Sequence, residues 1–464
     1  KQVTNSRYKQ SSAKLSLGYN LKKWAFNLRY NFYKGRIGLP GHTHEANPQP
    51  EDFLTTNQNR KNNVPAQRAM NHFLLAENKF FLGKNMLYVS VGHTANGLKE
   101  HEEKFTVPAI VMNLNNTLYN AKWQWVLTDE VKVIIGSQGM YQVNANGEKV
   151  DEILIPDATT TDFGGYGLLI GNKGKWTYQL GGRWDMREIA VAEDGLNTTY
   201  NGVNYSAGFA RVAKKSTVRL NLASGFRAPT LSELQSDGVH HGTFRYEVGN
   251  TSLNPENAIQ VDLTWGLHFE DLEVLINPFY NQINNYIYIQ RTDQVIDGFD
   301  VYEYTQTDFA QLYGLDFGFH YHPHTAHWLH IESSLSNVFA EDSQKMPIPG
   351  IPQTRINNQL RFDLEMDGKF RLENIHLQHM YFFEQNRLGL LETYSPSYNV
   401  INAGLTAKWD VKNPLTIKAG VRNLLNETYI DHLSGLKNLG IPDPGLNIYL
   451  LLRIELSNRL KSKS

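Results

Sequence analysis

The chain is expected to fold as an all-β, transmembrane antiparallel β-barrel, and three features of the sequence carry that expectation. Large apolar residues alternate with polar ones at a period of two. Short polar turns alternate with long polar segments along the chain. No run of eighteen or more apolar residues exists to make a membrane-spanning helix.

The alternation is read strand by strand. In Trp24-Ala25-Phe26-Asn27-Leu28-Arg29-Tyr30-Asn31-Phe32 every even position is apolar. The pattern recurs in Tyr119-Asn120-Ala121-Lys122-Trp123-Gln124-Trp125, in the segment from Trp176 to Asp185, and in Ile259-Gln260-Val261-Asp262-Leu263-Thr264-Trp265. Successive side chains of a strand point to opposite faces, so each segment has one apolar and one polar face. Trp and Tyr often close the apolar series, as in the aromatic girdles of membrane barrels whose polar residues face a wet lumen. A half-buried soluble sheet is the competing reading.

Short turns are expected near Asn20-Leu21, Gly83-Lys84, Thr128-Asp129, Asn172-Lys173, Lys214-Lys215, Glu270-Asp271, Pro323–Thr325, Met366–Gly368 and Val411–Asn413. Long segments are expected near 35–66, 95–116, 143–158, 187–202, 225–256, 290–303, 341–352, 384–396 and 424–444. Barrels sort their connections this way because periplasmic turns are short and extracellular loops long. The count is about nineteen strands, odd where single-chain bacterial barrels are even. About three more, preceding the first strand, would complete the 22-strand barrel of plugged transporters. The chain is therefore expected to be N-terminally truncated, with a barrel domain over 1–456 and a polar basic tail over 457–464.

The 464 residues carry a net charge of −1 and no cysteine. That excludes a disulfide framework and thiolate metal sites, and leaves no overall charge footprint for nucleic acid. The chain starts at Lys1 without Met or signal peptide, which reads as a fragment or mature piece.

The most specific text is Phe226-Arg227-Ala228-Pro229, followed by Gly249-Asn250-Thr251-Ser252-Leu253-Asn254-Pro255-Glu256. Between them lies a polar loop bearing His240 and His241. The arrangement resembles the paired FRAP and NPNL boxes of TonB-dependent outer-membrane receptors. Val421-Arg422-Asn423-Leu424-Leu425-Asn426-Glu427-Thr428-Tyr429 is similar to that family's penultimate-strand signature, and Pro444 to Tyr449 to the entry into its last strand. Gly41-His42-Thr43-His44-Glu45 and Leu312 to Phe317 resemble members from Bacteroidetes-type bacteria. The resemblance implies a 22-strand barrel in the outer membrane of a Gram-negative bacterium. It also implies an N-terminal plug, expected to be absent from these residues, through which the TonB–ExbB–ExbD complex of the inner membrane supplies energy.

Substrate contacts are sought in the long loops. The resemblance to haem receptors places an axial histidine where His240 and His241 lie, and the region is also similar to zinc-uptake receptors. Imidazole suits both, ligating haem iron or, with carboxylates, Zn²⁺. Adjacent residues of an extended strand face opposite ways, so one of the pair is expected to meet ligand. A hydrogen-bonding role alone is the alternative. His42, His44 and Glu45 form a His-x-His pair with a carboxylate, and His93 and His101 with Glu102 and Glu103 add a cluster on the next long loop. The expected metal set is His42, His44, Glu45 and His101. Arg227, Arg245 and Tyr246 are candidates for anionic groups of a ligand, because guanidinium matches carboxylate geometry. Pairing with Glu233 or Glu247 is the alternative. His320, His322, His324, His327 and His330 straddle a short turn and are read as structural.

No nucleophile elbow, phosphate-cradling glycine loop or His-Glu-x-x-His occurs, so no enzyme is expected. The reading is energy-coupled import of a scarce metal or metal complex, haem or zinc ahead of a Fe³⁺ chelate, with no permanent cofactor. A ferric-siderophore or cobalamin receptor is the runner-up, and a passive porin the remote alternative.

Overall fold

The computed structural model describes residues 2–40, 49–56, 59–61, 63–148, 150, 153–192, 195–240, 243, 245–364 and 366–455. By its contacts the chain divides into two compact units: Lys1–Ala210 with Asn221–Val261 and Asn281–Ala310, and Arg211–Leu220 with Asp262–Tyr280 and Gln311–Ser464.

In the first unit, β1 (Gln2–Val3) pairs with β4 (Leu54–Thr55) as a small separate ribbon. The sheet starts with β2 (Tyr8–Asn20), β3 (Trp24–Gly38), β5 (Ala66–Leu82), β6 (Asn85–His101) and β7 (Ile110–Val126). It continues through β8 (Val131–Asn146), β9 (Ala158–Lys173) and β10 (Trp176–Val191), each antiparallel to the strand before it. β11 (Asn197–Val212), β12 (Ser216–Arg227), β15 (Glu256–His268), β16 (Leu272–Ile296) and β17 (Phe299–Tyr321) have residues in both units. Between β12 and β15 lie the helix α1 (Leu231–Gln235) and the hairpin of β13 (Asp237–His240) and β14 (Arg245–Val248). The second unit holds β18 (Leu329–Asp342), β19 (Arg355–Asp363), β20 (Phe370–Phe382), β21 (Tyr398–Trp409), β22 (Leu415–Arg422) and β23 (Asn447–Ile454) as an antiparallel meander.

Among the described residues, twenty-one strands thus form the sheet; setting aside the short β13–β14 hairpin leaves the nineteen expected. The fold class is the predicted one, an all-β antiparallel barrel.

Register shows why the sequence alternates. Asn27, Glu77, Ser90, Asn120, Gln138, Gly164 and Asp185 lie side by side across β3, β5, β6, β7, β8, β9 and β10. One residue along, the row reads Leu28, Ala76, Val91, Tyr119, Gly139, Phe163 and Met186. The second row continues into exposed Trp125, Ile135, Leu180 and Trp184, an apolar surface that only lipid would cover at low cost. Slipping any strand by one residue would put amides and carboxylates into the bilayer, so the pattern itself fixes the register.

All nine short turns are present, although β9 runs on to Lys173 and its turn falls at Gly174-Lys175. Three expected loops are shorter than read. β6 and β7 leave only 102–109, and β10 and β11 leave only 192–196. The segment 290–303 is not a loop: β16 and β17 extend through it to a two-residue turn at Asp297-Gly298. Both turn residues have positive φ, 51° and 83°, the conformation that favours Asp-Gly in tight hairpins. The flanking Tyr, Ile, Val and Phe residues are strand formers, so polarity was the wrong guide there.

Candidate functional site

The candidate site is the folded connection from β12 to β15, in the first unit. Its base is a small core of Ile189, Tyr200, Ala228, Leu234, Leu253 and Ile287, with Phe226, Leu231 and Tyr304 packed against it. Phe226 lies so close to Gly202 that a Cβ there would sit 2.2 Å from its ring. Thr230 caps α1, accepting from the Glu233 amide at 3.3 Å while the Glu233 carboxylate accepts from the Thr230 amide at 2.8 Å.

Arg227 joins the two sequence boxes. Its Nη1 donates to both Glu233 oxygens at 2.9 and 2.8 Å, and its Nε donates to Glu256 Oε2 at 2.5 Å. Glu256 Oε1 also accepts from the Ile287 amide at 2.7 Å, which ties the second box to β16. The Asn254 amide donates to Gln306 Oε1 at 2.8 Å, and Gln306 Nε2 donates back to the Asn254 carbonyl at 2.7 Å, adding β17. Gly249 passes so close to α1 that a Cβ would meet the Gln235 nitrogen at 2.5 Å.

A second cluster lies on the β13–β14 hairpin. His240 stands opposite Arg245 and Gly238 opposite Glu247, so His240, Arg245 and Glu247 share one face. Glu247, only 3% exposed, takes three donors. His240 Nδ1 lies 2.9 Å and Arg245 Nε 2.7 Å from its Oε1, and the Tyr304 hydroxyl donates to Oε2 at 3.3 Å. Burial alone would raise the Glu247 carboxyl, but the His240 hydrogen bond and the Arg245 charge outweigh it and bring it down to about 2. β14 also runs parallel to β17, which brings Tyr302 opposite Glu247. The Arg245 guanidinium lies 5.2 Å from the Tyr302 ring centre.

A cavity of about 730 Å³ has Phe226 and Arg227 in its lining. Its polar wall holds the Arg187–Asp162 pair, with Nε–Oδ1 at 2.6 Å, and Arg183, whose Nε donates to Asp185 at 2.7 Å.

A model of the family described as TonB dependent receptor-like, beta-barrel, matches residues 2–424. The chain belongs to the TonB-dependent receptors. These are receptors and transporters of the Gram-negative outer membrane, powered by TonB energy coupling, and not enzymes. Solved structures share the fold. The copper transporter OprC is 14% identical, with a TM-score of 0.72 over 96% of this chain and 71% of that one. The FrpB iron transporter from Neisseria meningitidis, F5-1 variant, is 15% identical, with a TM-score of 0.72 over 96% and 72%. The siderophore receptor PirA from Acinetobacter baumannii is 11% identical, with a TM-score of 0.70 over 96% and 70%.

On this receptor fold the expected site residues separate. His240 and Arg245 meet at Glu247, whereas Tyr246 points away and donates to Asp237 at 2.7 Å. Arg227 and Arg245 take the carboxylate partners named as the alternative, Glu233 and Glu247, so neither guanidinium is presented bare to a ligand. His241, His42, His44 and Glu45 lie outside the described residues. His101 is 3% exposed at the end of β6, against Phe105, whose ring centre lies 4.6 Å from the Arg36 guanidinium and 4.7 Å from that of Arg68. His93 is not on a loop but inside β6, hydrogen-bonded to Thr117 at 3.1 Å.

In the second unit, His320 Nε2 lies 2.9 Å from His330 Nδ1, and the His322 and His330 rings stack at 4.0 Å. Stacked rings do not aim their nitrogens at one point. Among the described residues no group of three or more His, Cys, Asp or Glu could hold a metal ion. Ser395, His432 and Glu392 resemble a catalytic triad, with Ser395 Oγ 2.9 Å from His432 Nδ1 and Glu392 Oε1 3.3 Å from Nε2. Ser395 is 1% exposed, so no substrate reaches it. The group instead staples loops, as Gln353 Nε2 donates to the Phe383 and Pro396 carbonyls and Lys437 Nζ to the Thr393 carbonyl. Sequence reading missed Tyr304 and this staple because their contacts span dozens of residues without a local signature.

Proposed function

We propose that this receptor imports a transition metal or a metal complex, haem or zinc, captured through His240. The observation that carries the reading is the His240–Glu247 pair on the loop between the two boxes. It is an imidazole one-third exposed, backed by a buried carboxylate. Histidine ligands of metals characteristically carry such a partner on the other ring nitrogen. Arg245 and Arg227 are paired with Glu247 and with Glu233 and Glu256, and in this reading they hold the loop while His240 meets the metal. In the zinc form of the reading His42, His44 and Glu45 add ligands, whereas the enclosure of His101 argues against a direct role for it.

The test is binding to the full-length receptor in detergent. Haemin giving a shifted absorption band that His240→Ala abolishes would support the haem form. Zinc binding weakened by His240→Ala and by His42→Ala/His44→Ala, but not by His101→Ala, would support the zinc form. Binding of neither would overturn the proposal and leave a siderophore or cobalamin as the substrate class to examine.

A further inference from the structure

We infer that Glu247 is a positioning residue that fixes the tautomer of His240, so that Nε2 is the nitrogen offered to the incoming metal centre. The inference rests on the proposed capture by His240.

Donors and acceptors fix where the proton sits. A carboxylate flanked by a guanidinium is ionised and has no hydrogen to give. Arg245 Nε lies 2.7 Å from Glu247 Oε1, and the Tyr304 hydroxyl occupies Oε2. The hydrogen in the 2.9 Å contact between His240 Nδ1 and Glu247 Oε1 therefore belongs to the imidazole. A neutral imidazole with its hydrogen on Nδ1 carries its lone pair on Nε2, the atom able to ligate a metal. Without Glu247 both tautomers would be available, and Nδ1 could compete for the metal in a different orientation.

The carboxylate is also well placed to hold the ring still. Glu247 is enclosed, and its anchor Tyr304 comes from β17, a long strand of the sheet, to which β14 is joined in parallel from Tyr246–Val301 to Val248–Glu303. The imidazole of His240, at the end of β13, is thus tied through Glu247 to the strand framework, while Thr243 holds its backbone carbonyl from within the loop. Hydrogen-bonded carboxylates raise the basicity of a ligating histidine, and losing such a partner typically costs about 10–100-fold in metal affinity.

The experiment uses the full-length receptor with haemin and, in parallel, Zn²⁺ as probes. Glu247→Gln keeps the shape but not the charge. It is expected to weaken whichever probe binds by about 10–100-fold. With haemin it should also raise the ferric/ferrous midpoint potential, because a less basic imidazole stabilises ferric iron less. Glu247→Asp keeps the charge and is expected to restore the potential, and correct outer-membrane assembly is checked for each variant. Tyr304→Phe, which removes an anchor but leaves the carboxylate, should weaken binding by less. Wild-type affinity and potential in an assembled Glu247→Gln receptor, while His240→Ala abolishes binding, would overturn this inference and leave capture by His240 standing. Unaltered binding in His240→Ala would instead overturn the capture reading itself.

Discussion

Arg227 and His240 are both conspicuous in the sequence, yet they do different work. Arg227 has two carboxylates, and Glu256 is buried, so Arg227→Ala strands a negative charge under the loop. Breaking a buried pair costs about 3–5 kcal/mol, and because 40% of the Arg227 side chain is exposed we expect nearer 2 kcal/mol. The check is faster proteolysis within 228–255 of the folded receptor. Glu247 predicts a pH dependence. Its carboxyl is held at about 2, below the ordinary 4.5, so the stability it lends the hairpin is whole above pH 4.5 and is lost as the pH falls toward 2. Proteolysis of the hairpin should rise over that window in wild type and stay flat in Glu247→Gln. Sequence alone named Glu233 and Glu247 as the alternative to ligand contact, but not Glu256, the second carboxylate on Arg227. It could not see Tyr304, 57 residues from Glu247.

At the scale of elements, connections were legible where turn chemistry and polarity agree, and misread at 290–303, where polar residues occupy a regular hairpin. The Asp297-Gly298 turn was the local sign that should have prevailed. The box-to-box loop depends on one glycine. Gly249→Ala would drive a methyl into the α1 backbone and should cost about 1–3 kcal/mol, seen as loss of ligand binding with the sheet intact. The staple around His432 was invisible in sequence because Gln353 and His432 are 79 residues apart. Burial holds this imidazole below its ordinary 6.5 and the Lys437 ammonium adds to that, while Glu392 opposes. Its stabilising contribution is therefore whole above pH 6.5 and is lost as the pH falls through the lowered value. Hydrogen-exchange protection in 343–354 and 423–446, taken relative to the intrinsic amide rate at each pH, should fall on acidification, and His432→Gln should remove that dependence.

For the whole molecule, the decisive information was the alternation, because lipid on one side and water on the other demand opposite residues at successive positions. About nineteen strands were countable for that reason, whereas nothing in one sequence sets the chemistry of a ligand held by side chains from distant loops. These 464 residues contain no cysteine, so single cysteines introduced into them can report orientation once any cysteine elsewhere in the receptor is replaced. A cysteine at Gly298 should react with a membrane-impermeant maleimide on intact cells, and one at Lys215 should not.

Energy-coupled capture of a metal centre by His240 is open to test by cellular uptake. Metal content would be measured in metal-starved cells relying on the full-length receptor, supplied with haemin or zinc, with the coupling complex intact or deleted. Accumulation of one of the two is expected, lost both in His240→Ala and without the coupling complex. Accumulation that survives His240→Ala, or that continues without energy coupling as through a passive pore, would contradict it.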